Sequence, residues 1–153
     1  MVAFLTNFIC TVLPIMYFCQ DFVVGTKITY TNCGPPSILY VDMAPCDKLP
    51  CVFHKGTNAT VTIAFNTTQK ADAITAKVYG IVAGIPIPYP LPKSNGCEDC
   101  NLTCPLQGGQ YKYVNQFPVL QDYPDIKIAV KWELVDQDQN PLVCFVFPME
   151  IQG

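Results

Sequence analysis

Between residues 85 and 92 the sequence reads IPIPYPLP, with a proline at every second position. Successive side chains of an extended backbone point to opposite faces, so Ile85, Ile87, Tyr89 and Leu91 would share one face. Proline has no backbone N–H, so one side of such a strand cannot pair fully with a neighbour. The segment predicts an edge strand that keeps a β-structure from closing, as the mouth of a lipid pocket requires.

A polyproline ligand for an aromatic groove is the alternative interpretation of residues 85–92. Such ligands use a PxxP spacing with three residues per turn. The spacing here is PxP throughout the run. This mismatch favours the sheet edge.

The chain length and the basic residues limit which class of protein this can be. A chain of 153 residues suits a single domain with one core. All nine basic residues are lysines, and the formal net charge is −3. Nucleic-acid recognition relies heavily on arginine, so a mildly acidic chain without arginine makes nucleic acid an improbable partner.

Residues 1–19 are uncharged and rich in large apolar side chains. The run predicts a secretory signal peptide over residues 1–25, cleaved between 19 and 26, that leaves a single domain over 26–153. A retained membrane anchor is the alternative. The uncharged run is shorter than the ~20 residues of an ideal span, and no basic flank holds it.

Cysteine usage agrees with secretion. Seven cysteines follow the predicted leader, and in an oxidising compartment they predict disulfides with one thiol left over. They are Cys33, Cys46, Cys51, Cys97, Cys100, Cys104 and Cys144. A zinc site could take its ligands only from the cysteines of CEDCNLTC (97–104) and from the distant His54. These residues do not have the spacing of a standard tetrahedral zinc site. We therefore expect neither a metal nor a cofactor.

Three N-glycosylation sequons also agree with the secretory route. They begin at Asn58, Asn66 and Asn101. Between the first two, the apolar residues Val61, Ile63 and Phe65 alternate with polar ones. Both sequons should therefore lie on the face opposite the apolar one, where a bulky glycan can be accommodated.

Short β-like runs separated by Pro, Gly and Asn continue from residue 27 onward, without a helical stripe or an internal repeat. The predicted strands are 27–33, 37–43, 58–67, 73–83, 85–90, 110–117, 126–135 and 142–151. Eight such strands favour a β-sandwich. In IKIAVKWEL (126–134), Trp132 shares one face of the strand with isoleucine, valine and leucine. This periodicity predicts an apolar inner face, but it cannot distinguish a filled interior from a hollow one.

Little in the chain suits catalysis. His54 is the only histidine, and it lies beside turn residues, which favours a surface position. Asp136 and Asp138 belong to a polar turn before the last strand. Cysteine nucleophiles are improbable where thiols are oxidised. We predict that the protein is not an enzyme.

Together with the cysteine spacing, several motifs closely resemble the Niemann-Pick type C2 sterol carriers, which belong to the MD-2-related lipid-recognition (ML) domains. The resemblance runs from about residue 28 to 151. It is carried by APCDKLPC (44–51), GIPIPYPLP (84–92), GCEDCNLTCP (96–105), YKYVNQFPVLQDYP (111–124) and VKWELVDQD (130–138).

The resemblance implies an all-β, immunoglobulin-like β-sandwich of two splayed antiparallel sheets with an internal hydrophobic pocket and three disulfides. The implied pairs are Cys33–Cys144, Cys46–Cys51 and Cys97–Cys104. Cys100 departs from the family pattern. It leaves open whether Cys97 pairs with Cys104 or with Cys100, and whether one thiol links two chains.

The resemblance also implies a ligand site. Its mouth would be lined by Ile87, Tyr89, Val119 and Tyr123, with Pro86, Pro118 and Pro124 shaping the rim. Its depth would be lined by Val61, Ile63, Phe65, Val78, Trp132 and Phe145. Each of the deeper residues is equally well explained as core packing.

The function that this resemblance implies is a secreted, predominantly monomeric carrier that transfers a sterol or another small hydrophobic lipid between membranes, proteins or fluids. A lysosomal location also fits, as does a membrane or receptor partner for delivery. The alternative is a lipid-sensing receptor co-factor of the same fold. A secreted hydrolase ranks far below both.

Overall fold

A computed structural model describes residues 25–153 of the chain. The predicted leader lies outside the described residues except for Gly25, so its cleavage stays a prediction. The ten strands are β1 (Thr26–Lys27), β2 (Thr31–Asn32), β3 (Ile38–Ala44), β4 (Cys51–His54), β5 (Thr57–Thr67), β6 (Thr75–Val82), β7 (Ile85–Tyr89), β8 (Gly109–Val119), β9 (Ile126–Val135) and β10 (Pro141–Gln152). Within this range no helix has the length and apolarity to cross a membrane.

The strands form two sheets. Sheet A has the order β1-β3-β5-β8, and sheet B has the order β2-β10-β9-β6-β7. Neighbours along both orders are antiparallel, whereas β4 adds to sheet B by pairing in parallel with β10. The predicted all-β sandwich of two antiparallel sheets is confirmed.

The strand prediction is wrong at two places. The segment 27–33 is not one strand, because Thr26–Lys27 pairs with β3 in sheet A whereas Thr31–Asn32 pairs with β10 in sheet B. The chain crosses between the sheets at this point. Strand β4 was not predicted, because its four residues pair with Met149–Gln152, far along the sequence, and carry no alternating pattern long enough to recognise.

Side chains alternate between the two faces of each strand, and the inward-facing apolar ones fill the space between the sheets. In β5, Val61, Ile63 and Phe65 are fully buried, whereas Asn58 and Asn66 are exposed on the opposite face, as predicted. In β9, Val130, Trp132 and Leu134 are buried in the same way. These inner faces belong to one continuous hydrophobic cluster.

Three disulfides close the sandwich, and they are the pairs that the resemblance implies. Cys33–Cys144 joins the segment after β2 to β10, while Cys46–Cys51 and Cys97–Cys104 close short loops. Cys100 is free and fully buried. Because the folded chain covers this thiol, a bond from Cys100 to a second chain would first require its loop to open.

Replacing both members of the Cys33–Cys144 pair by serine should cost far more stability than the same change at Cys46 and Cys51. The two bonds close loops with sequence separations of 111 and 5 residues. In the chain-entropy model these loops correspond to about 5 and about 2 kcal/mol of unfolding free energy. Chemical denaturation of the two double variants measures this difference, and equal losses would contradict it.

Candidate functional site

Strand β7 is the predicted edge strand. It pairs only with β6 among the described strands, with Ile85 opposite Val82, Ile87 opposite Gly80 and Tyr89 opposite Val78. The N–H groups that β7 can offer to β6 come from these non-proline positions, because proline has no N–H. Alternate residues of a strand direct their backbone groups to opposite sides. The outer edge of β7 therefore presents carbonyl groups without N–H donors.

Strand β8 forms the facing edge of sheet A. The N–H of Val114 donates to the carbonyl of Cys100, with N and O 3.0 Å apart, so the even-numbered residues of β8 direct their backbone away from β5. The loop 97–104 covers this half of the edge. Farther along β8 the outward position is Pro118, which again has no N–H. Two donor-poor edges thus face each other.

A side-chain contact joins these edges in place of a backbone ladder. The Tyr89 hydroxyl donates to the carbonyl oxygen of Pro118 over 3.2 Å, and the rings of Tyr89 and Tyr123 meet edge to face with centroids 6.1 Å apart. Burial, followed by the adjacent Tyr123, raises the pKa of Tyr89, so this phenol stays protonated. We call Tyr89, Pro118 and Tyr123 the edge latch.

Four of the predicted site residues form one row across sheet B. Tyr89 lies opposite Val78, Val78 lies opposite Trp132, and Trp132 lies opposite Phe145. With strands about 4.8 Å apart, the row runs roughly 14 Å from the proline edge into the interior. Except for half-buried Tyr89, its members are buried.

Sheet A supplies the opposite wall. The fully buried Val61, Ile63 and Phe65 of β5 belong to the same hydrophobic cluster as the row. The ring of Trp132 packs against Tyr113 and Phe117 of β8, at centroid distances of 6.4 and 5.7 Å. In this structure the inner side chains of the two sheets therefore close on one another.

Tyr113, Asn115 and Phe117 were missed as site residues. In YKYVNQFPV the odd-numbered positions from Tyr111 to Val119 are apolar or aromatic except for Asn115. An asparagine within an inward-facing apolar series indicates a buried polar group. That signal was available in the sequence, but nothing in it showed that Tyr113 and Phe117 would pack against Trp132.

The outer end of the site is an apolar rim. Its large apolar side chains remain exposed because sheet A does not extend over them, and Ile87 lies opposite Gly80, which has no side chain to cover it. They are Val82 (40% exposed), Ile85 (64%), Ile87 (49%) and Leu120 (47%). Pro86 and Pro124 are also exposed, whereas Val119 is buried.

A surface depression of about 310 Å³ borders β6 and β7. Val78 and Tyr89 contribute to its lining, but so do Lys77, Tyr79 and Pro88, which alternate onto the outer face of sheet B. The depression offers a second place where a ligand could contact Tyr89, and an experiment has to distinguish it from the interior.

The residues that the sequence analysis considered for catalysis or metal binding do not form a site in the structure. His54 is exposed at the end of β4. Asp136 is buried in a turn, where its Oδ1 accepts hydrogen bonds from the backbone N–H groups of Asp138 (2.9 Å) and Asn140 (2.8 Å). This carboxylate stabilises the turn before β10, as the sequence predicts. Within residues 25–153, no cluster of three His, Cys, Asp or Glu side chains could hold a metal ion.

The three sequons differ in their surroundings. Asn58 and Asn66 are exposed on the outer face of β5. Asn101 is exposed too, but its Nδ2 donates to the Lys112 carbonyl over 3.1 Å. A glycan on Asn101 would share a nitrogen that already holds the loop against β8. The occupancy of all three sites stays a prediction.

The fold and the site define a two-sheet β-sandwich with an apolar interior and a proline-lined edge that no backbone ladder closes, and comparisons with known proteins identify the family. The ML-domain family model matches residues 27–151. The NPC intracellular cholesterol transporter 2 of Danio rerio is 36% identical over 138 residues, covering 88% of this chain and 89% of the relative. Its homolog a in Drosophila melanogaster is 35% identical over 135 residues, covering 85% and 91%.

Two solved structures show the same fold. The crystal structure of a Niemann-Pick type C2 protein from the Japanese carpenter ant aligns with a TM-score of 0.76 at 23% identity, covering 82% of this chain and 100% of the other. Chicken MD-1 complexed with lipid IVa aligns at 0.51 and 14% identity, covering 84% and 98%. The chain belongs to the Niemann-Pick type C2 family of ML-domain proteins.

Removing the Tyr89 hydroxyl should loosen the edge latch. A Tyr89→Phe change keeps the ring against Tyr123 but leaves the Pro118 carbonyl without its donor. We expect the free energy of unfolding to fall by about 1 kcal/mol, the usual net value of one hydrogen bond. Urea denaturation provides the measurement, and unchanged stability would show that the hydroxyl does not hold the two edges.

Alkaline pH should destabilise the fold through its buried phenols. Burial raises the pKa of both Tyr113 and Tyr89. Because an unfolded tyrosine ionises near pH ~10, the stability from the neutral phenols is complete below that pH and is lost as the pH rises beyond it. Tyr113→Phe should flatten the decline in unfolding free energy measured from neutral to alkaline pH. An unchanged slope would contradict this assignment.

Proposed function

We propose that this protein carries a sterol or another small hydrophobic lipid between its two sheets, and that the ligand enters at the edge between β7 and β8. The observation that carries the proposal is the pair of facing edges poor in N–H donors, with prolines outward on β7 and at Pro118 of β8, backed by the apolar row from Tyr89 to Phe145. No backbone ladder has to break for a ligand to pass this edge.

Entry would require a small separation of the sheets. The inner side chains pack on one another, so the ligand would exchange protein–protein contacts for protein–ligand contacts. At the edge latch the contacts to be released are one hydrogen bond and one aromatic pair, while Asn115 donates to the Lys93 carbonyl farther along β8. The gain would come from burying apolar ligand surface, at ~0.8 kcal/mol per methylene before association costs.

The ligand-binding residues stay those of the sequence analysis. Ile87, Tyr89, Val119 and Tyr123 would contact the ligand near the mouth, and the buried residues of β5 together with Val78, Trp132 and Phe145 would line the depth. Tyr89 has the sharpest role in this proposal, because it belongs both to the latch and to the row.

The relatives support a sterol as the ligand, since those from Danio rerio and Bos taurus are both named as cholesterol transporters. Three disulfides and three sequons support secretion, with delivery to an extracellular or lysosomal compartment. The relatives named as transporters also support a carrier that catalyses no reaction.

Binding of a fluorescent sterol tests the proposal. Tyr89→Ala and Tyr123→Ala should each weaken binding about tenfold, because each removes a large apolar contact at the mouth. Tyr79→Ala is the matched control, since Tyr79 lies on the outer face of β6, where Lys131 contacts its ring. Equilibrium titration of the four proteins gives the comparison.

Three outcomes separate the candidate functions. An equal loss in Tyr79→Ala would assign the ligand to the outer depression and contradict the proposal. Transfer of bound sterol to acceptor vesicles would support a carrier. Sterol retained without transfer, together with a stable receptor complex, would favour the lipid-sensing co-factor instead.

A further inference from the structure

A depression of about 280 Å³ lies on the outer face of sheet A, on the side away from the interior. Its floor is Ala64 of β5, which is flanked across the sheet by Tyr40 of β3 and Lys112 of β8. A methyl group between two long side chains leaves a gap above it. The rest of the lining consists of Leu39, Gln110 and Tyr111.

An irregularity in β3 directs two neighbouring apolar side chains outward at this depression. The pairing of β3 with β5 skips Leu39, which lies between the paired residues Ile38 and Tyr40. Ile38 packs against the core, whereas Leu39 is 50% exposed and Tyr40 is half-buried. One rim of the depression therefore presents an aliphatic side chain and an aromatic ring side by side.

The sequon at Asn66 begins at one end of the same depression. Asn66 is exposed on the outer face of β5, two residues from Ala64, which is roughly 7 Å along the strand. Its partner on β8 is Gln110, which belongs to the lining. Asn58, the other sequon of β5, is six residues from Ala64, roughly 20 Å away. A sugar on Asn66 thus starts beside the depression, whereas a sugar on Asn58 does not.

The Tyr40 ring is approached by a cation from one side. Lys27 Nζ lies 4.6 Å from the ring centroid. Lys27 is paired with Asp42, which follows Tyr40 on the side away from Asn66. The ammonium group therefore does not compete for the side of the ring that faces the sequon.

We propose that the first two sugars of an N-linked glycan on Asn66, both N-acetylglucosamine, fold back into this depression and form a fixed contact with sheet A. The C–H face of a sugar ring packs on Leu39 and on Tyr40, whose ring face is negative. The acetamide group of the sugar pairs with the side-chain amide of Gln110, since both groups donate and accept. The contact removes apolar surface of protein and sugar from water.

A tethered carbohydrate suits this place better than a free ligand. The apolar rim is small, and an amide and an ammonium group stand beside it, so a lipid would leave these polar groups against hydrocarbon. A sugar has polar and apolar faces that match both parts of the lining. Covalent attachment at Asn66 also removes most of the association cost, so a shallow depression is sufficient. The inference concerns the outer face of sheet A and does not depend on the proposed carrier function.

Protection of the glycan from endoglycosidase H tests the contact, because this enzyme cuts between the two N-acetylglucosamines. Asn58→Gln and Asn66→Gln each leave one sequon on β5, and both full-length chains are produced in secretory cells that attach high-mannose glycans. Mass spectrometry of the tryptic peptide 56–70 follows the cut. Cleavage at Asn66 should be about fivefold slower in the folded protein than in the isolated glycopeptide, which corresponds to a contact of about 1 kcal/mol. The difference at Asn58 should be much smaller.

Variants localise the protection. Tyr40→Ala removes the aromatic side of the rim and should restore fast cleavage at Asn66. Tyr79→Ala is the matched control, since Tyr79 also lies on an outer face with a lysine over its ring, but on sheet B. It should leave the protection unchanged. Leu39→Ser gives a second test if Tyr40→Ala does not fold, because the exposed Leu39 contributes little to the core.

Several results would overturn the contact. These are equal cleavage rates at Asn66 in the folded chain and in the glycopeptide, protection that survives Tyr40→Ala or Leu39→Ser in the folded variant, and protection that is lost equally in Tyr79→Ala. Secreted protein with an unmodified Asn66 would overturn it as well. None of these results bears on the carrier function, which the sterol titration tests separately.

Discussion

The scarcity of outward N–H groups on β7 and at the end of β8 shapes the edge where the two sheets meet. A backbone ladder needs donors on at least one side, and β7 and the end of β8 both place proline at their outward positions. The two sheets therefore meet along this edge through side chains, with a tyrosine hydroxyl on a carbonyl in place of a ladder. The opposite side of the molecule is fixed by a disulfide between Cys33 and Cys144. The two ends of sheet B are therefore held differently, one by a covalent bond and the other by side-chain contacts.

The apolar interior contains two buried polar atoms, Asn115 Oδ1 and Trp132 Nε1, that have no hydrogen-bond partner among the described residues. A filled core would ordinarily place leucine or valine at position 115, since an apolar residue there costs nothing in lost hydrogen bonds. Here Asn115 instead ties β8 to the loop after β7 through the Lys93 carbonyl and leaves its oxygen free. The same residue thus joins β8 to the segment after β7 and places a polar group within the interior.

Much of the fold and part of the candidate site were predictable because they depend on local chemistry. Alternation predicted the inner faces of β5 and β9, and PxP predicted an edge strand, since both follow from the period of an extended chain. The strand that begins at Cys51 was not predictable in this way, because its partner at the end of β10 is remote. Asn115 was visible as an anomaly, but its hydrogen bond to the Lys93 carbonyl, 22 residues away in sequence, was not.

The sequence by itself determined the strand faces, the donor-poor edge and the family, because these are properties of residue order and spacing. Only the tertiary structure decided that Tyr89, Val78, Trp132 and Phe145 form one row, since that depends on how two hairpins distant in sequence, β6–β7 and β9–β10, pair with each other. It also decided that Trp132 of sheet B packs against Tyr113 and Phe117 of sheet A. Contacts between sheets arise from packing, and no local periodicity in a chain encodes them.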